Sequence, residues 1–371
     1  MSKTTLKILH LTYDMNIGGT EQVIRNIIEG LDSQRYASSV ACIDGQVGPW
    51  GKALESKGVK HYCLTRKPGF DLRVIRGLRA IIVAGEYDIV HCHQYTPYTY
   101  GWFAMLGLNK PIIFTEHGRF YPDTSSWKRR LINPILQRGT AASTAISAAT
   151  KQALETYENL DGNKIDVIYN GIMDSNCEPD AALREALGIH NTDTVFGTIS
   201  RLDPIKNHTM MIAAFAEVCG QQKNVKLMIV GDGPMRAELE SLVAALHLQD
   251  NVIFTGFKPN PQAYLAIMDV FLLPSLSEGT SMTLLEAMSY AKPSIATAVG
   301  GTPEILEHGV TGLLVDNKDQ GALILAMRDI CTNEKMAQEL GNNARKIYEE
   351  RFTLAAMITQ YERLYESKVS D

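Results

Sequence analysis

The stretch Val270–Met288, VFLLPSLSEGTSMTLLEAM, joins a short apolar run to a helical pattern through a polar loop. We predict a buried strand over Val270–Leu273 and a helix that begins after Ser281. A buried strand followed by a loop and a helix is the repeating unit of parallel sheets with crossover helices. This stretch therefore predicts an α/β fold.

The same alternation of β-branched runs and helical patterns continues along the rest of the chain. The strands predicted in the first half are Leu6–Thr12, Ser39–Ile43, Ile89–His91, Pro111–Thr115, Thr144–Ser147 and Asp166–Tyr169. The others in the second half are Thr194–Ile199, Lys226–Val230, Val252–Thr255, Ser294–Thr297 and Gly312–Val315. Helices are predicted between them, among others over Glu21–Leu31, Leu72–Ala84, Tyr98–Leu106, Ser126–Gln137 and Met235–Leu246. The sequence thus predicts two Rossmann-like, doubly wound α/β domains.

A polar stretch over residues 170–180 is typical of a linker between these domains. We predict an N-terminal domain over residues 1–172 and a C-terminal domain over residues 173–352, which suits a length of 371 residues. The final helical segment, about residues 353–371, can pack on its own domain or return to the first. Open α/β sheets bind ligands beyond the carboxyl ends of their strands, so two facing domains would form one binding cleft.

Composition places the chain among globular proteins, with 45% hydrophobic and 21% charged residues. No apolar run approaches the roughly 20 residues that span a bilayer, and the first residues lack a signal-peptide pattern, so we expect a cytoplasmic protein. The six cysteines are scattered without a CxxC pair, which indicates reduced thiols rather than disulfides or a zinc site.

Charge is distributed unevenly. Residues 1–172 contain 20 Lys and Arg against 15 Asp and Glu, and the rest of the chain contains 16 against 26. The basic excess is concentrated in residues 60–79 and 127–138, and the second segment begins with Trp127. A basic surface with an aromatic residue suits an anionic membrane as a peripheral partner. Solvated faces of two helices explain the same pattern, so both interpretations stay open.

The loop and helix after Leu273 contain the strongest candidate for a ligand site. Gly279, Thr280 and Ser281 offer backbone N–H groups at a helix start, where unpaired donors and the helix dipole favour phosphate. Glu278 is placed to accept hydrogen bonds from sugar hydroxyls, and Glu286 from a ribose diol. Spacing alone also fits a helix cap plus a surface carboxylate.

This E-x7-E element, with Leu-Pro-Ser before it and residues 287–297 after it, resembles that of family 4 of the retaining glycosyltransferases. The resemblance covers nearly the whole chain and implies the GT-B fold, two Rossmann-like domains facing across a cleft. It implies that Glu278 holds the donor sugar and Glu286 the nucleoside ribose. Many members have Gly-Phe-Gly after the first glutamate, whereas Gly279-Thr280-Ser281 stands here, so the sugar remains open.

Residues 197–207, GTISRLDPIKN, resemble the family segment whose two basic residues bind the donor phosphates. The resemblance implies this role for Arg201 and Lys206, cations that can neutralise a leaving diphosphate. An Arg and a Lys in a loop are otherwise usually solvated. Because the chain has no Asp-x-Asp motif, we expect no divalent metal and no cofactor, the nucleotide sugar being a substrate.

Several glycines follow predicted strands. Gly18 and Gly19 come after the first strand, Gly231 and Gly233 follow Val230, and Phe257 follows the strand Val252–Thr255. Paired glycines allow close approach of a ligand to the backbone, although ordinary βα turns look alike. The resemblance implies that these residues line the donor site.

Histidines stand at the ends of two predicted strands of the first half. His117 matches the family's histidine near the reacting sugar, and we assign it to catalysis with Glu278, Arg201 and Lys206. His91 and His93 look like a metal pair, but no third ligand is near in sequence, so we interpret them as cleft lining. We assign His93 and Arg119 to the acceptor side and predict no metal site.

The sequence therefore predicts a retaining glycosyltransferase that moves a hexose or N-acetylhexosamine to a glycan or lipid-linked acceptor in bacterial surface-polysaccharide synthesis. A UDP-sugar is the first expectation for the donor and GDP-mannose the second. The resemblance implies front-side substitution, in which a phosphate oxygen takes the proton of the acceptor hydroxyl. The alternatives are a nucleotide-sugar epimerase of the same fold and a nucleotide-sugar binding protein without turnover. We expect no nucleic acid partner.

Overall fold

The computed structural model describes residues 5–118, 123–175 and 177–369. The chain divides into two compact units. Unit 1 contains Met1–Gly171 together with Leu354–Asp371, and unit 2 contains Ile172–Thr353. The C-terminal helix therefore belongs to the unit that contains the N terminus.

Unit 1 contains a seven-stranded sheet. Its strands are β1 Leu6–Thr12, β2 Tyr36–Cys42, β3 Lys60–Cys63, β4 Ile89–His93, β5 Ile112–Glu116, β6 Ala142–Ala145 and β7 Ile165–Val167. Its helices are α1 Gly19–Gly30, α2 Gly48–Glu55, α3 Leu72–Gly85, α4 Tyr95–Met105, α5 Trp127–Arg138, α6 Ala148–Glu158 and, at the C terminus, α15 Leu354–Val369.

Unit 2 contains a six-stranded sheet. Its strands are β8 Thr194–Ile199, β9 Val225–Val230, β10 Val252–Gly256, β11 Val270–Leu273, β12 Ser294–Thr297 and β13 Leu313–Val315. Its helices are α7 Ala181–Ala186, α8 His208–Cys219, α9 Arg236–Ala245, α10 Gln262–Ala266, α11 Met282–Ser289, α12 Thr302–Ile305, α13 Gln320–Thr332 and α14 Glu334–Arg351.

Both sheets have the same plan. The strand order is β3-β2-β1-β4-β5-β6-β7 in unit 1 and β10-β9-β8-β11-β12-β13 in unit 2, and neighbouring strands pair in parallel. The order reverses between β1 and β4 and again between β8 and β11, which are the points where doubly wound sheets bind ligands. The prediction of two Rossmann-like domains is confirmed.

The buried central strands explain why the sequence pattern was easily recognised. Phe271 and Leu272 in β11 are fully buried, as are Leu9 and Leu11 in β1, because crossover helices cover both faces of a parallel sheet. The short strand β3 and the helices α2 and α6 were not among the predicted elements. Strand β3 is an edge strand of four residues, KHYC, and it has no apolar run that distinguishes it from a loop.

Helix α15 packs on α1. A Cβ atom built on Gly30 would lie 2.6 Å from Cγ1 of Ile358, so the small residue allows close contact. Arg35 also forms ion pairs with Glu362 and Glu366 of α15. No helix in the described part of the chain combines the length and apolar composition that crossing a bilayer requires.

Candidate functional site

The central feature of unit 2 is an ion pair between the loops that follow β8 and β11. Lys206 Nζ lies 2.6 Å from Glu278 Oε1, and the same oxygen accepts a hydrogen bond of 2.6 Å from Ser275 Oγ. The Glu278 side chain is 9% exposed and that of Lys206 24%. The two residues are 72 positions apart, so only the adjacency of β8 and β11 brings them together.

Backbone contacts hold these two loops against each other. Leu276 N donates to Ile205 O at 2.8 Å, and Asn207 Nδ2 donates to Pro274 O at 3.2 Å. Asn207 adopts a left-handed conformation (φ 54°), which asparagine tolerates better than most residues. The geometry of the ion pair is therefore fixed by the main chain as well as by its charges.

Arg201 takes a different position from Lys206. Its side chain is 73% exposed and pairs with Asp203, with Nε 2.9 Å from Oδ2. The structure thus joins Lys206 to Glu278 but does not bring the Arg201 guanidinium into that pair. Arg201 is held by its own loop.

Helix α11 begins directly after this loop. Ser281 is its N-cap and accepts a hydrogen bond from Leu284 N at 3.3 Å. Glu286 is buried two turns along the chain from Glu278, and Thr280 is buried in the loop. Because helix starts leave N–H groups without partners inside the helix, this end of α11 suits an anion beside Glu278.

A glycine turn holds the backbone of Glu278 in place. Gly300 has φ 51°, and a Cβ atom there would lie 1.8 Å from Glu278 O. The next residue, Gly301, donates its N–H to the same oxygen at 3.2 Å. This close approach is possible only without a side chain at position 300.

Similar contacts explain the glycines that follow β9. Gly231 has φ 144°, and a Cβ atom there would lie 1.9 Å from Ser200 O. At Gly233 a Cβ atom would lie 2.5 Å from Leu202 O. These glycines let the β9 loop pack on the β8 loop that leads to Lys206. Phe257, after β10, is 52% exposed and available for contact with a ligand.

In unit 1 the glycine pair stands where predicted, at the start of α1, but its surroundings are looser. A Cβ atom at Gly19 would meet nothing within 4 Å, and one at Gly18 would meet the carboxylate of Glu21 at 2.3 Å. Burial, together with the charge of Asp14, raises the pKa of Glu21 to about 7. A carboxyl group that titrates near neutrality beside a glycine loop is a candidate site residue. The only signal for Glu21 in the sequence is that it is an acidic residue in the first turn of helix α1.

His117 follows β5 and lies next to His93, the last residue of β4. His93 Nδ1 is 2.8 Å from His117 Nε2. His93 is fully buried, whereas His117 is half-buried. Burial lowers the pKa of His117 to about 3, and burial with neighbouring histidine charges lowers the pKa of His93 well below 6.5. Arg119, the other residue assigned to the acceptor side, lies outside the described residues.

Sequence reasoning missed His10 as a partner of the His91-Cys92-His93 stretch. The pairing of β1 with β4 sets His10 opposite His91, and His10 Nδ1 lies 3.1 Å from His93 Nε2. Ring nitrogens of His10, His91 and His93 lie within 4.8 Å of one another, as in a group that could hold a metal ion. His10, on the neighbouring strand β1, is thus the third possible ligand that the sequence around His91 and His93 does not contain.

Comparison with known proteins extends over both units. Residues 17–175 match the family described as Glycosyltransferase Family 4, and residues 180–347 match Glycosyl transferases group 1. The D-rhamnosyltransferase WbpZ of Pseudomonas aeruginosa is 30% identical over 368 residues, which cover 94% of this chain and 92% of that protein. The N-acetyl-alpha-D-glucosaminyl L-malate synthase of Bacillus anthracis is 29% identical over 320 residues, which cover 84% of this chain and 83% of that protein.

A solved structure shares the architecture. Anabaena Alr3699/HepE, crystallised with UDP, superposes with a TM-score of 0.86 at 24% identity, covering 98% of this chain and 100% of that chain. At this identity the likeness concerns the fold, which is the one described above. The family itself is shown by the two family matches and by WbpZ, which is 30% identical. The chain therefore belongs to the family 4 glycosyltransferases, and its two Rossmann-like domains have the GT-B fold.

Proposed function

We propose that this glycosyltransferase is a retaining, metal-independent enzyme that moves a hexose or N-acetylhexosamine from a nucleoside-diphosphate sugar to a glycan or lipid-linked acceptor. UDP-sugars are the proposed donors, in the synthesis of a bacterial surface polysaccharide. The observation that supports this proposal most directly is the pair formed by Lys206 and Glu278 at the start of α11.

The proposed donor site uses each part of this arrangement. A diphosphate beside the α11 start would meet the N–H groups of residues 279–281 and the ammonium group of Lys206, with Arg201 able to turn toward it. Glu278 Oε2 has no hydrogen bond from the described residues, so it can accept one from a sugar hydroxyl. Glu286 would bind the ribose. Gly231, Gly233 and Phe257 would border the nucleotide, and Gly18 and Gly19 would approach its phosphates.

These groups suggest how the reaction proceeds. As the bond from the sugar to the diphosphate breaks, negative charge grows on the diphosphate, where the Lys206 cation stabilises it without a metal ion. The acceptor hydroxyl attacks the oxocarbenium-like sugar from the same face, and a phosphate oxygen takes its proton. Glu278 binds the sugar and forms no covalent intermediate, unlike the nucleophile of a retaining glycosidase. We assign His117 to the reacting sugar.

Donor identity has support from neighbouring proteins. HepE has been crystallised with UDP-glucose as well as with UDP. WbpZ is a rhamnosyltransferase of Pseudomonas aeruginosa, and another relative is an O-antigen chain mannosyltransferase of Escherichia coli. The ligands of HepE support a UDP-sugar as the donor, the O-antigen mannosyltransferase supports a surface-glycan acceptor, and GDP-mannose is the second donor to be tested.

The exposed face of α5 supports a membrane-surface acceptor. Trp127, Leu131 and Ile135 are 71%, 64% and 59% exposed and recur every four residues, which places them on one side of the helix. Lys128 and Arg130 are exposed beside them. An apolar helix face flanked by cations is suited to the surface of anionic lipid, and the enzyme would then act as a cytoplasmic protein peripheral to the inner membrane.

Fewer basic side chains are available to a partner than the excess of Lys and Arg in residues 60–79 and 127–138 suggests. Arg129 donates to the buried carboxylate of Glu158 at 2.6 Å, so its charge is used inside unit 1. In the other basic segment, Arg66 pairs with Asp44 and Arg73 pairs with Asp71. These charges stabilise the fold of their own loops and leave less for a partner.

The decisive experiment is a transfer assay with UDP-glucose, UDP-N-acetylglucosamine or GDP-mannose, a lipid-linked acceptor and excess chelator. We expect nucleotide release that requires the acceptor, and a product whose anomeric configuration, measured by NMR, equals that of the donor. Glu278→Gln should abolish transfer. An inverted product, or loss of activity that added Mg²⁺ restores, would refute the mechanism. Formation of an epimer from donor alone would favour the epimerase alternative.

Membrane association has a separate test, co-sedimentation with vesicles of phosphatidylglycerol or of phosphatidylcholine. We expect binding to the anionic vesicles, lost when Trp127, Leu131 and Ile135 are replaced by serine. The control is Leu325→Ser, because Leu325 on α13 in unit 2 is 59% exposed, as Ile135 is. Binding that persists in the triple variant would exclude α5 as the membrane contact.

A further inference from the structure

The sheet of unit 1 carries a buried polar stripe beneath helix α15. It crosses four neighbouring strands, β1, β4, β5 and β6, and is fully buried. The side chains that form it are His10, His91, His93, Thr115, Thr144 and, from α15, Tyr365. A stripe of this kind must satisfy its hydrogen bonds internally, because water does not reach it.

One chain in this stripe, which we call the threonine chain, runs from Tyr365 through His91 and Thr115 to Thr144. His91 Nδ1 lies 2.8 Å from Tyr365 Oη, His91 Nε2 lies 2.7 Å from Thr115 Oγ1, and the two threonine hydroxyls are 2.6 Å apart. Thr144 donates to Phe114 O, which can only accept. With this direction for Thr144, Thr115 donates to Thr144, and His91 carries its proton on Nε2 and accepts from Tyr365.

The second chain, the histidine row, consists of His10, His93 and His117. His10 Nδ1 meets His93 Nε2 at 3.1 Å, and His93 Nδ1 meets His117 Nε2 at 2.8 Å. A neutral imidazole has one donor and one acceptor nitrogen. Both bonds can therefore form in only two ways: all three rings carry the proton on Nδ1, or all three carry it on Nε2. A mixture would place two lone pairs or two N–H groups against each other.

The two ends of the row distinguish these states. His10 Nε2 and His117 Nδ1 are buried atoms without hydrogen-bond partners among the described residues. The His10 ring is completely buried, whereas His117 is half-buried. Either state leaves one of these two atoms as an unpaired N–H, which is rarer than an unpaired acceptor, and its cost is lower in the half-buried residue His117, at the end of the row nearer the surface. The row therefore favours the state in which His10 Nε2 is the bare acceptor, and this state puts the proton on His117 Nδ1.

We propose that His10 and His93 are positioning residues that fix the tautomer of His117, so that His117 presents Nδ1–H as a hydrogen-bond donor to an oxygen atom of the bound substrate. The inference rests on the proposed function for the identity of that substrate, a sugar hydroxyl or phosphate oxygen, but not for the tautomer itself. His117 then binds oxygen and does not remove a proton from it.

Two observations agree with this assignment. Burial lowers the pKa of both His10 and His117 to about 3, so the end rings are neutral at physiological pH. A metal ion held by His10, His91 and His93 would have to break hydrogen bonds that His91 makes in the threonine chain and that His93 makes in the histidine row. The same rings therefore favour a hydrogen-bonded row over a metal centre.

The first test is ¹⁵N NMR of the full chain labelled on its histidine rings, with signals assigned by single substitutions. We expect Nδ1–H on His10, His93 and His117, and Nε2–H on His91. His61→Asn is the control, because His61 lies on β3 outside the row, and it should leave these signals unchanged. Mixed tautomers in the row, a charged ring at neutral pH, or signals that shift when a bound metal is removed by chelation would overturn the proposal. This experiment does not depend on activity.

The second test compares two replacements of His10 in the transfer assay. His10→Asn keeps an N–H near the position of Nδ1, whereas His10→Met matches the volume of histidine better but cannot donate. We expect His10→Met to lower kcat about tenfold, as for the loss of one neutral hydrogen bond, with the donor KM little changed, and His10→Asn to restore most of it. The opposite order would indicate that His10 acts through packing and would overturn the proposal.

Discussion

The two units share one strand order but differ in the chemistry at the point where that order reverses. In unit 1 the strands β1 and β4 carry neutral, buried histidines, one of which is hydrogen-bonded to hydroxyl groups. In unit 2 the ends of β8 and β11 carry a lysine and a glutamate in direct contact. The same fold thus supplies a neutral polar stripe in one unit and a charged pair in the other.

The difference follows from solvation. Lys206 retains 24% exposure, so its charge is not fully removed from water, and its partner is a carboxylate at 2.6 Å. Among the described residues, no carboxylate is hydrogen-bonded to the rings of His10, His91 or His93, so burial keeps these rings uncharged. Unit 1 is therefore expected to respond to acid, and unit 2 to the removal of a charge. The predictions below test this contrast.

The largest expected effect is acid destabilisation of unit 1. His10, His91, His93 and His117 have a folded pKa far below their unfolded value, so the unfolded chain binds more protons and stability is lost as pH falls below 6.5. Four such groups would together cost about 5 kcal/mol between pH 7 and pH 5.5. Urea denaturation followed by tryptophan fluorescence measures this, because all three tryptophans, Trp50, Trp102 and Trp127, are in unit 1.

Unit 2 supplies the comparison for this measurement. Burial, with the charge of Lys206, lowers the pKa of His208 to about 4. We expect a shallower loss of stability there, measured by calorimetry of the same protein over the same pH range. Equal slopes in the two units would contradict the interpretation that the buried histidines of unit 1 are neutral.

The next effect is on catalysis. Lys206→Met removes the cation from Glu278 and from the proposed diphosphate, and we expect kcat to fall about 10³-fold, equivalent to about 4 kcal/mol. Lys226→Met is the matched control, since Lys226 in β9 of the same unit donates to a backbone carbonyl, of Asp250. If Lys206→Met retained more than half of the wild-type activity, the ion pair would not be required for the reaction.

A third, smaller effect concerns the glycine loops. Gly231→Ala would put a Cβ atom 1.9 Å from Ser200 O at φ 144°, so we expect unit 2 to lose about 3 kcal/mol in calorimetry. Gly19→Ala in unit 1 meets nothing within 4 Å and should change stability by less than about 0.5 kcal/mol. Similar losses in both variants would mean that the two loops are under equal constraint.

Strands with continuous apolar runs could be predicted from the sequence. Val270–Leu273 is such a run and has the predicted bounds, as do Thr194–Ile199 and Ser294–Thr297, in which apolar residues are interspersed with Ser or Thr. Strand β3 could not be predicted, since four mixed residues at a sheet edge carry no such signal. Local periodicity therefore recovered the centres of both sheets and missed an edge.

Residues of the candidate site were predictable only where a motif lies within one loop. Glu278 and Lys206 were each recognised in their own segment, but their contact spans 72 positions and depends on strand order. Ser275, which shares Oε1 of Glu278, stands in the Leu-Pro-Ser of the motif but was assigned no role, and His10, which meets His93, gave no local signal. The contact of Lys206 with Glu278 is observed, whereas the catalytic and binding roles assigned to Lys206, Glu278 and the other site residues stay predictions.

The smallest expected effect compares two carboxylates on helix α1. Burial and Asp14 raise the pKa of Glu21, so the folded state disfavours its charge and stability falls as pH rises from 4.5 through about 7. At Glu29 burial acts in the same direction, but hydrogen bonds from Lys57 and Arg25 lower the pKa below 4.5. Glu21→Gln should therefore stabilise unit 1 at pH 8 by about 1 kcal/mol and leave it unchanged near pH 4, whereas Glu29→Gln should destabilise it at pH 8. Tryptophan-monitored urea curves at both pH values measure the two signs. If both variants shifted the stability of unit 1 in the same direction, the raised pKa of Glu21 would be contradicted. Glu21 would then resemble Glu278 of unit 2, which is paired with a cation.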